Sequence, residues 1–194
     1  MKATQLLKEE HRHILRALAV LEQMAGSAKR GNAINKKDGE DMVHILQGFA
    51  DRHHQGKEEA ILFPALLQDH DQRHYGSLCC LIFEHNRERF LVQGLQEAIA
   101  AGNTRDFIYC VNSLVDKLRA HITTEEEGLF ALAAAVLSPD DDERVATEMQ
   151  QFERSWQQHV LPGLLRRLDA LELEYSAARG FLLPSQENQA QTAR

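Results

Sequence analysis

Apolar residues recur at spacings of three and four along most of this chain, separated by short polar runs, so the pattern predicts helices throughout and few strands. Leu7, His11, Ile14, Leu18 and Leu21 set a first helix over about residues 3 to 26, which Gly26-Ser27 is expected to end. Val43, Leu46, Ala50, His54, Glu58, Ile61 and Ala65 share one face of a second, over about 36 to 68, capped by Asn35 with Asp38 three residues on. Pro64 lacks a donor and crowds the carbonyl four residues back, which predicts a kink near Glu59 to Ala60. A third helix, about 76 to 101, turns Leu78, Ile82, His85, Arg89, Val92 and Ile99 inward and stops at Gly102-Asn103. A fourth, about 104 to 137, does the same with Phe107, Val111, Leu114, Leu118, His121, Glu125 and Leu132. Ser138-Pro139-Asp140-Asp141 reads as a capped start for a fifth, reaching about Tyr175 with a break at Pro162-Gly163.

Polar residues inside these apolar stripes need a reason. His54-Gln-Gly-Lys-Glu58 and His121-Ile-Thr-Thr-Glu125 each set an imidazole and a carboxylate one turn apart, aimed at one spot. His11 and His85 occupy inward positions on two other helices. In an up-down-up-down bundle the start of helix one, the end of helix two, the start of helix three and the end of helix four meet at one end. The six residues then lie about 12 to 24 Å from that end at 1.5 Å per residue, so they can share one level. Buried carboxylates and imidazoles are costly unless paired or metal-bound. Nitrogen and carboxylate donors without thiolate suit iron, manganese or zinc, and Glu58 and Glu125 can each bridge two metal ions. A di-iron centre is the first choice, zinc or a single iron the next, with manganese also behind it.

Composition narrows the setting. The chain has 194 residues and a formal charge of -7, which suits one helical domain and argues against a nucleic-acid or anionic-membrane partner. Its start does not read as a signal peptide, and no apolar run reaches the roughly 20 residues that span a bilayer. The expected location is therefore cytoplasmic. Cys79, Cys80 and Cys110 form neither a disulfide framework nor a CxxC pair, and are expected to be reduced and buried. The expected organisation is a four-helix bundle over residues 1–137, a helical extension of the same domain over 138–183, and a disordered polar tail over 184–194.

The runs Glu10-His11-Arg-His-Ile14, His54-Gln-Gly-Lys57-Glu58-Glu59-Ala-Ile-Leu62-Phe63-Pro64, Glu84-His85-Asn-Arg-Glu-Arg89 and His121-Ile-Thr-Thr-Glu125-Glu-Glu-Gly-Leu129-Phe130 resemble the hemerythrin-like, HHE cation-binding family. The resemblance covers about residues 3 to 135. It implies an all-α fold, an antiparallel four-helix bundle around a non-haem di-iron centre with an oxo or hydroxo bridge. Carried over by position, the metal ligands are His11, His54, Glu58, His85, His121 and Glu125. Oxygen-carrying hemerythrins have a further histidine one turn after the third-helix ligand, where this chain has Arg89, as in bacterial relatives. Either a coordination position is left open or another residue fills it, His159 being the most interesting candidate.

Around the six, Arg89 is placed to pair with a ligand carboxylate or a bound anion. His53 is rotated about 100° from His54 and is expected to flank the site. Glu59 and Glu126 are expected to face water, as are His13, His44, His70 and His74. Phe63, Leu129 and Phe130 are expected in the core, where they would also form a dry wall. The function implied is binding or sensing of dioxygen, peroxide or nitric oxide. A catalase- or peroxidase-like enzyme is the alternative, and iron handling or iron-sulfur repair a further one, although the cysteine-bearing module that goes with repair is not seen here. Oligomeric state is not readable.

Overall fold

The computed structural model describes residues 1–67, 74–157 and 160–180, and among these every regular element is helical. In chain order they are α1 (Lys2–Lys29), α2 (Lys36–Ile45), the π-helical π1 (Leu46–Gln55) and π2 (Glu58–Leu62), and α3 (Phe63–Leu66). Then come α4 (Tyr75–Ala101), α5 (Thr104–Thr124), the π-helical π3 (Glu125–Leu129), α6 (Phe130–Val136), α7 (Pro139–Gln157) and α8 (Val160–Gly180). No helix is long and apolar enough to cross a membrane among the described residues.

Local chemistry accounts for most of the boundaries. Asn35 and Asn103 accept hydrogen bonds from the Asp38 and Asp106 amides at 3.3 and 3.2 Å, satisfying donors that a helix start leaves open. Ser138 Oγ does the same for Asp141 at 3.2 Å. Gly102 closes α4 in the left-handed region, with φ of +62°. Gly26-Ser27 does not end α1, which runs on to Lys29 because Ala25 and Ala28 still face the core; the chain turns at Gly31, with φ of +91°. Where Pro64 predicts a kink, the backbone widens into π2 just before it, and Pro64 falls in the first turn of α3. Pro162 sits in the first turn of α8, where its missing N–H costs nothing, so the helix is not broken there.

α1 packs on α5, α5 on α4, and α4 on α2 and π1. Their apolar stripes form a large core around Leu18, Leu21, Met42, Leu46, Leu95, Val111 and Leu114. A second cluster, Leu7, Leu62, Phe63, Leu78, Leu129, Phe130 and Met149 among others, closes the opposite end. The six polar residues picked out above lie between the two. Ile82 is exposed, Leu81 taking the inward place; Cys79 and Cys80 share that outer face, so only Cys110 is buried, and all three are free.

The two last helices dock on the bundle by different means. Asp142 at the start of α7 accepts from the Lys2 and Ala3 amides at 2.8 and 3.0 Å, capping α1. α8 sends Leu168 and Leu171 into the core. Around them Arg16 pairs with Asp169 at 2.6 Å and Glu172 at 2.5 Å, and Arg167 pairs with Asp38 at 3.0 Å and Asp41 at 2.5 Å. Gly48 lets α8 approach closely, since a Cβ there would stand 2.6 Å from Leu164 Cδ1.

Candidate metal centre

Six elements each deliver one polar side chain to the gap between the two apolar clusters: His11 from α1, His54 from π1, Glu58 from π2, His85 from α4, His121 from α5 and Glu125 from π3. All six are at most 3% exposed. They fall into two groups, His11, His54, Glu58 and Glu125, and Glu58, His85, His121 and Glu125, each tight enough to hold a metal ion. The two carboxylates belong to both. Glu58 turns Oε1 to His54 Nε2 at 3.6 Å and Oε2 to His85 Nε2 at 3.5 Å. Glu125 turns Oε2 to His11 Nε2 at 3.2 Å and Oε1 to His121 Nε2 at 3.1 Å. Each carboxylate therefore offers one oxygen to either half, the disposition a bridging ligand needs. The halves are near copies in their walls too: Phe130 stacks on His11 and Phe63 on His85, each phenylalanine five residues after its glutamate.

Proton placement decides what the centre can hold. The outer nitrogen of every histidine meets a carboxylate: His11 Nδ1 meets Glu126 at 2.9 Å, His54 Nδ1 meets Glu10 at 3.0 Å, His85 Nδ1 meets Glu59 at 2.6 Å, and His121 Nδ1 meets Glu84 at 2.8 Å. An ionised carboxylate only accepts, so each Nδ1 carries a hydrogen, and whenever the ring is neutral its lone pair lies inward at Nε2. Those inward nitrogens sit in facing pairs, His11 to His54 at 3.1 Å and His85 to His121 at 3.0 Å. Lone pair against lone pair is repulsive unless a cation or a proton lies between. Both oxygens of Glu58 and Oε1 of Glu125 are buried without a hydrogen-bond partner, a cost that a coordinated cation would remove. The donor set thus fits a pair of divalent or trivalent ions.

The electrostatics agree. Burial alone would lower the His85 and His121 pKa values, but Glu58 and Glu59 lift His85 to about 9, and Glu125, Glu88 and Glu84 lift His121 to about 10. Burial would raise Glu125, yet the His11 hydrogen bond and the His121 ring 3.1 Å away hold it well below the usual carboxylate range. Both effects mark a cavity that demands positive charge.

The residues expected around the six behave variously. Arg89 does not reach the inner carboxylates; it donates to Asp51 at 2.7 Å and to Glu59 at 2.7 Å, and so acts through the partner of His85. Glu59 and Glu126 are not simply solvated, because each receives a histidine Nδ1–H. His53 flanks the site as expected, buried against Glu10 at 2.9 Å. His44 is exposed, whereas His13 is half-buried against Phe49 and Arg16. His74 is half-buried as well. His159 and His70, and the tail over 184–194, lie outside the described residues.

Four residues escaped the pattern. Glu10 and Glu84 stand immediately before His11 and His85, where nothing in a three-four period marks them. Lys57, fully buried, donates to Glu10 and to Glu153 on α7 at 2.9 Å. Glu10, His53 and Glu153 are a third set of metal-type donors, but the Lys57 ammonium already supplies their cation. Glu88 is buried one turn from His85 and takes a hydrogen bond from Gln55 at 2.6 Å, while Glu88 Oε1 and Gln55 Oε1 have no partner. Both line a cavity of about 480 Å³ that opens between π1 and α4, walled by Leu46, Ala50, Val92 and Leu114.

The family model described as the hemerythrin HHE cation-binding domain matches residues 2–133, which takes in all six inward residues and ends short of α7 and α8. No curated protein and no solved structure matches the chain.

Proposed function

Because this chain belongs to the hemerythrin HHE cation-binding family, we propose that it is a non-haem di-iron protein that binds or senses dioxygen, peroxide or nitric oxide. His11 and His54 would hold one iron and His85 and His121 the other, with Glu58 and Glu125 available to both. The reading carries the family's antiparallel up-down-up-down arrangement with it, and one observation supports it most: two buried carboxylates that each present one oxygen to either histidine pair. Imidazole and carboxylate without thiolate favour iron over softer metals, with manganese and zinc next.

When bound, the two irons supply redox capacity and Lewis acidity. The chain's own residues do the rest. Glu10, Glu59, Glu84 and Glu126 fix the four imidazoles in the tautomer with hydrogen on Nδ1 and the coordinating lone pair on Nε2. Phe63 and Phe130 cover the rings and keep bulk water off that side. Arg89 is tied to Asp51 and Glu59, so this turn of α4 offers no further nitrogen.

Peroxide turnover, as in a catalase- or peroxidase-like enzyme, is the second reading, and a specific feature favours it. Gln55 and Glu88 line the cavity, and their buried acceptors Gln55 Oε1 and Glu88 Oε1, which lack a partner, suit a ligand with two O–H donors, which peroxide has and dioxygen and nitric oxide lack. Mixing the iron-loaded protein with hydrogen peroxide, and separately with nitric oxide, tests both. A stable change in the visible spectrum without oxygen release is the result expected of a binding protein. Sustained oxygen release selects turnover, and an unchanged spectrum with both reagents and no oxygen release overturns both readings.

A further inference from the structure

Three of the four carboxylates that hold the histidine Nδ1 atoms face water in part: Glu126 is 38% exposed, Glu59 30% and Glu84 44%. Glu10, the partner of His54, is only 10% exposed and is held from three sides. Its Oε2 accepts from His54 Nδ1 at 3.0 Å, and its Oε1 meets His53 Nε2 at 2.9 Å and the Lys57 ammonium. Lys57 has no exposure, so its charge must be neutralised inside the protein. It is shared between Glu10 and Glu153, which accepts from Nζ at 2.9 Å. Glu153 lies on α7, beyond the matched residues 2–133. The neighbouring Phe152 seats that helix over Gly56, where a Cβ would stand 3.3 Å from its ring.

We propose that Glu153 is a positioning residue for His54, so that the helix following the family domain sets the metal affinity of one half of the centre. The inference rests on the di-metal reading above. A carboxylate that accepts from Nδ1–H orients the ring and raises the basicity of the coordinating Nε2. Without Glu153, the full charge of Lys57 falls on Glu10, whose electron density is then drawn toward the ammonium and away from His54. The His85 and His121 half has no such link, because its outer carboxylates are Glu59 and Glu84.

The test uses the full chain, stripped of metal and titrated with cobalt(II), whose paramagnetism shifts the imidazole N–H proton resonances of the ligand histidines. Glu153→Leu is expected to weaken one of the two cobalt sites by about 10- to 100-fold, leave the other unchanged, and move a single N–H resonance. Glu153→Gln keeps an acceptor for Lys57 and is expected to fall between Glu153→Leu and the natural chain. Glu84→Gln marks the opposite half by moving the His121 resonance instead. If Glu153→Leu lowers only the melting temperature, with both affinities and all N–H positions unchanged, Glu153 is a packing contact and the proposal is overturned. A natural chain that takes up no cobalt overturns the di-metal reading itself, and the proposal with it.

Discussion

Glu58 and Glu125 are buried carboxylates whose placement is hard to explain by packing: three of their four oxygens have no hydrogen-bond partner, while the Nε2 atoms of all four histidines face them. Coordination resolves that cost, and its free energy is then part of the folding free energy. Glu125→Ala is therefore expected to lose bound metal in both halves and to melt at the temperature of the stripped natural chain; unchanged metal content would remove Glu125 from the centre. pH supplies a second check on the metal-free protein. His85 and His121 are raised from 6.5 to about 9 and about 10, so their contribution is whole below 6.5 and is lost as pH climbs through those values. Glu125 is lowered from 4.5, and its contribution is lost in acid instead. The stripped protein is expected to lose thermal stability between about pH 6.5 and 10 as these histidines deprotonate, whereas the metal-loaded form, in which metal takes the place of the Nε2 protons, holds level. Equal slopes in thermal melts of the two forms would contradict this. The six inward residues were legible because His11 and His85 match the two HxxxE pairs in both face and depth, a coincidence that unrelated polar residues have little reason to show. Their outer partners were not: Glu59 and Glu126 look like ordinary solvated acids, and only the fold shows Glu10 and Glu84 reaching a histidine on another helix.

At the scale of the helix, caps and stops could be read from Asn35, Asn103, Ser138 and Gly102, because each acts on its own neighbours. The π-helical stretches could not, since a run of apolar residues sampled over one turn does not separate a period of 3.6 from a wider one. They hold or adjoin the metal-binding pairs, with His54 in π1, Glu58 opening π2 and Glu125 opening π3. The outward place of Ile82, Cys79 and Cys80 was missed for a related reason: on an apolar helix such as α4 the inward face is set by its neighbours rather than by its own pattern. Docking of the last two helices depends on glycines that carry no sequence signal of contact. Gly48→Val would drive its side chain into Leu164, and overpacking of this kind costs about 1–3 kcal/mol. A urea titration is expected to show an unfolding free energy lowered by that amount, and so a lower midpoint, with bound metal retained; an unchanged midpoint would mean that α8 does not pack there.

Over the whole molecule, the centre links elements that are far apart in sequence. α1, π1, π2, α4, α5 and π3 each contribute one residue, and α7 reaches the same site through Glu153 and Lys57. The bundle and its metals should therefore be one cooperative system: ions at 1,000 times their dissociation constant add about 4 kcal/mol per site. Removing metal with a chelator is expected to lower the melting temperature of the whole chain in a single transition. Two separated transitions would show that the centre is uncoupled from part of the fold. Metal analysis of the purified protein, joined to its absorption spectrum, tests the central claim most directly. About two irons per chain with ligand-to-metal absorption bands is the predicted result, and a folded chain that holds no iron after anaerobic loading would contradict it.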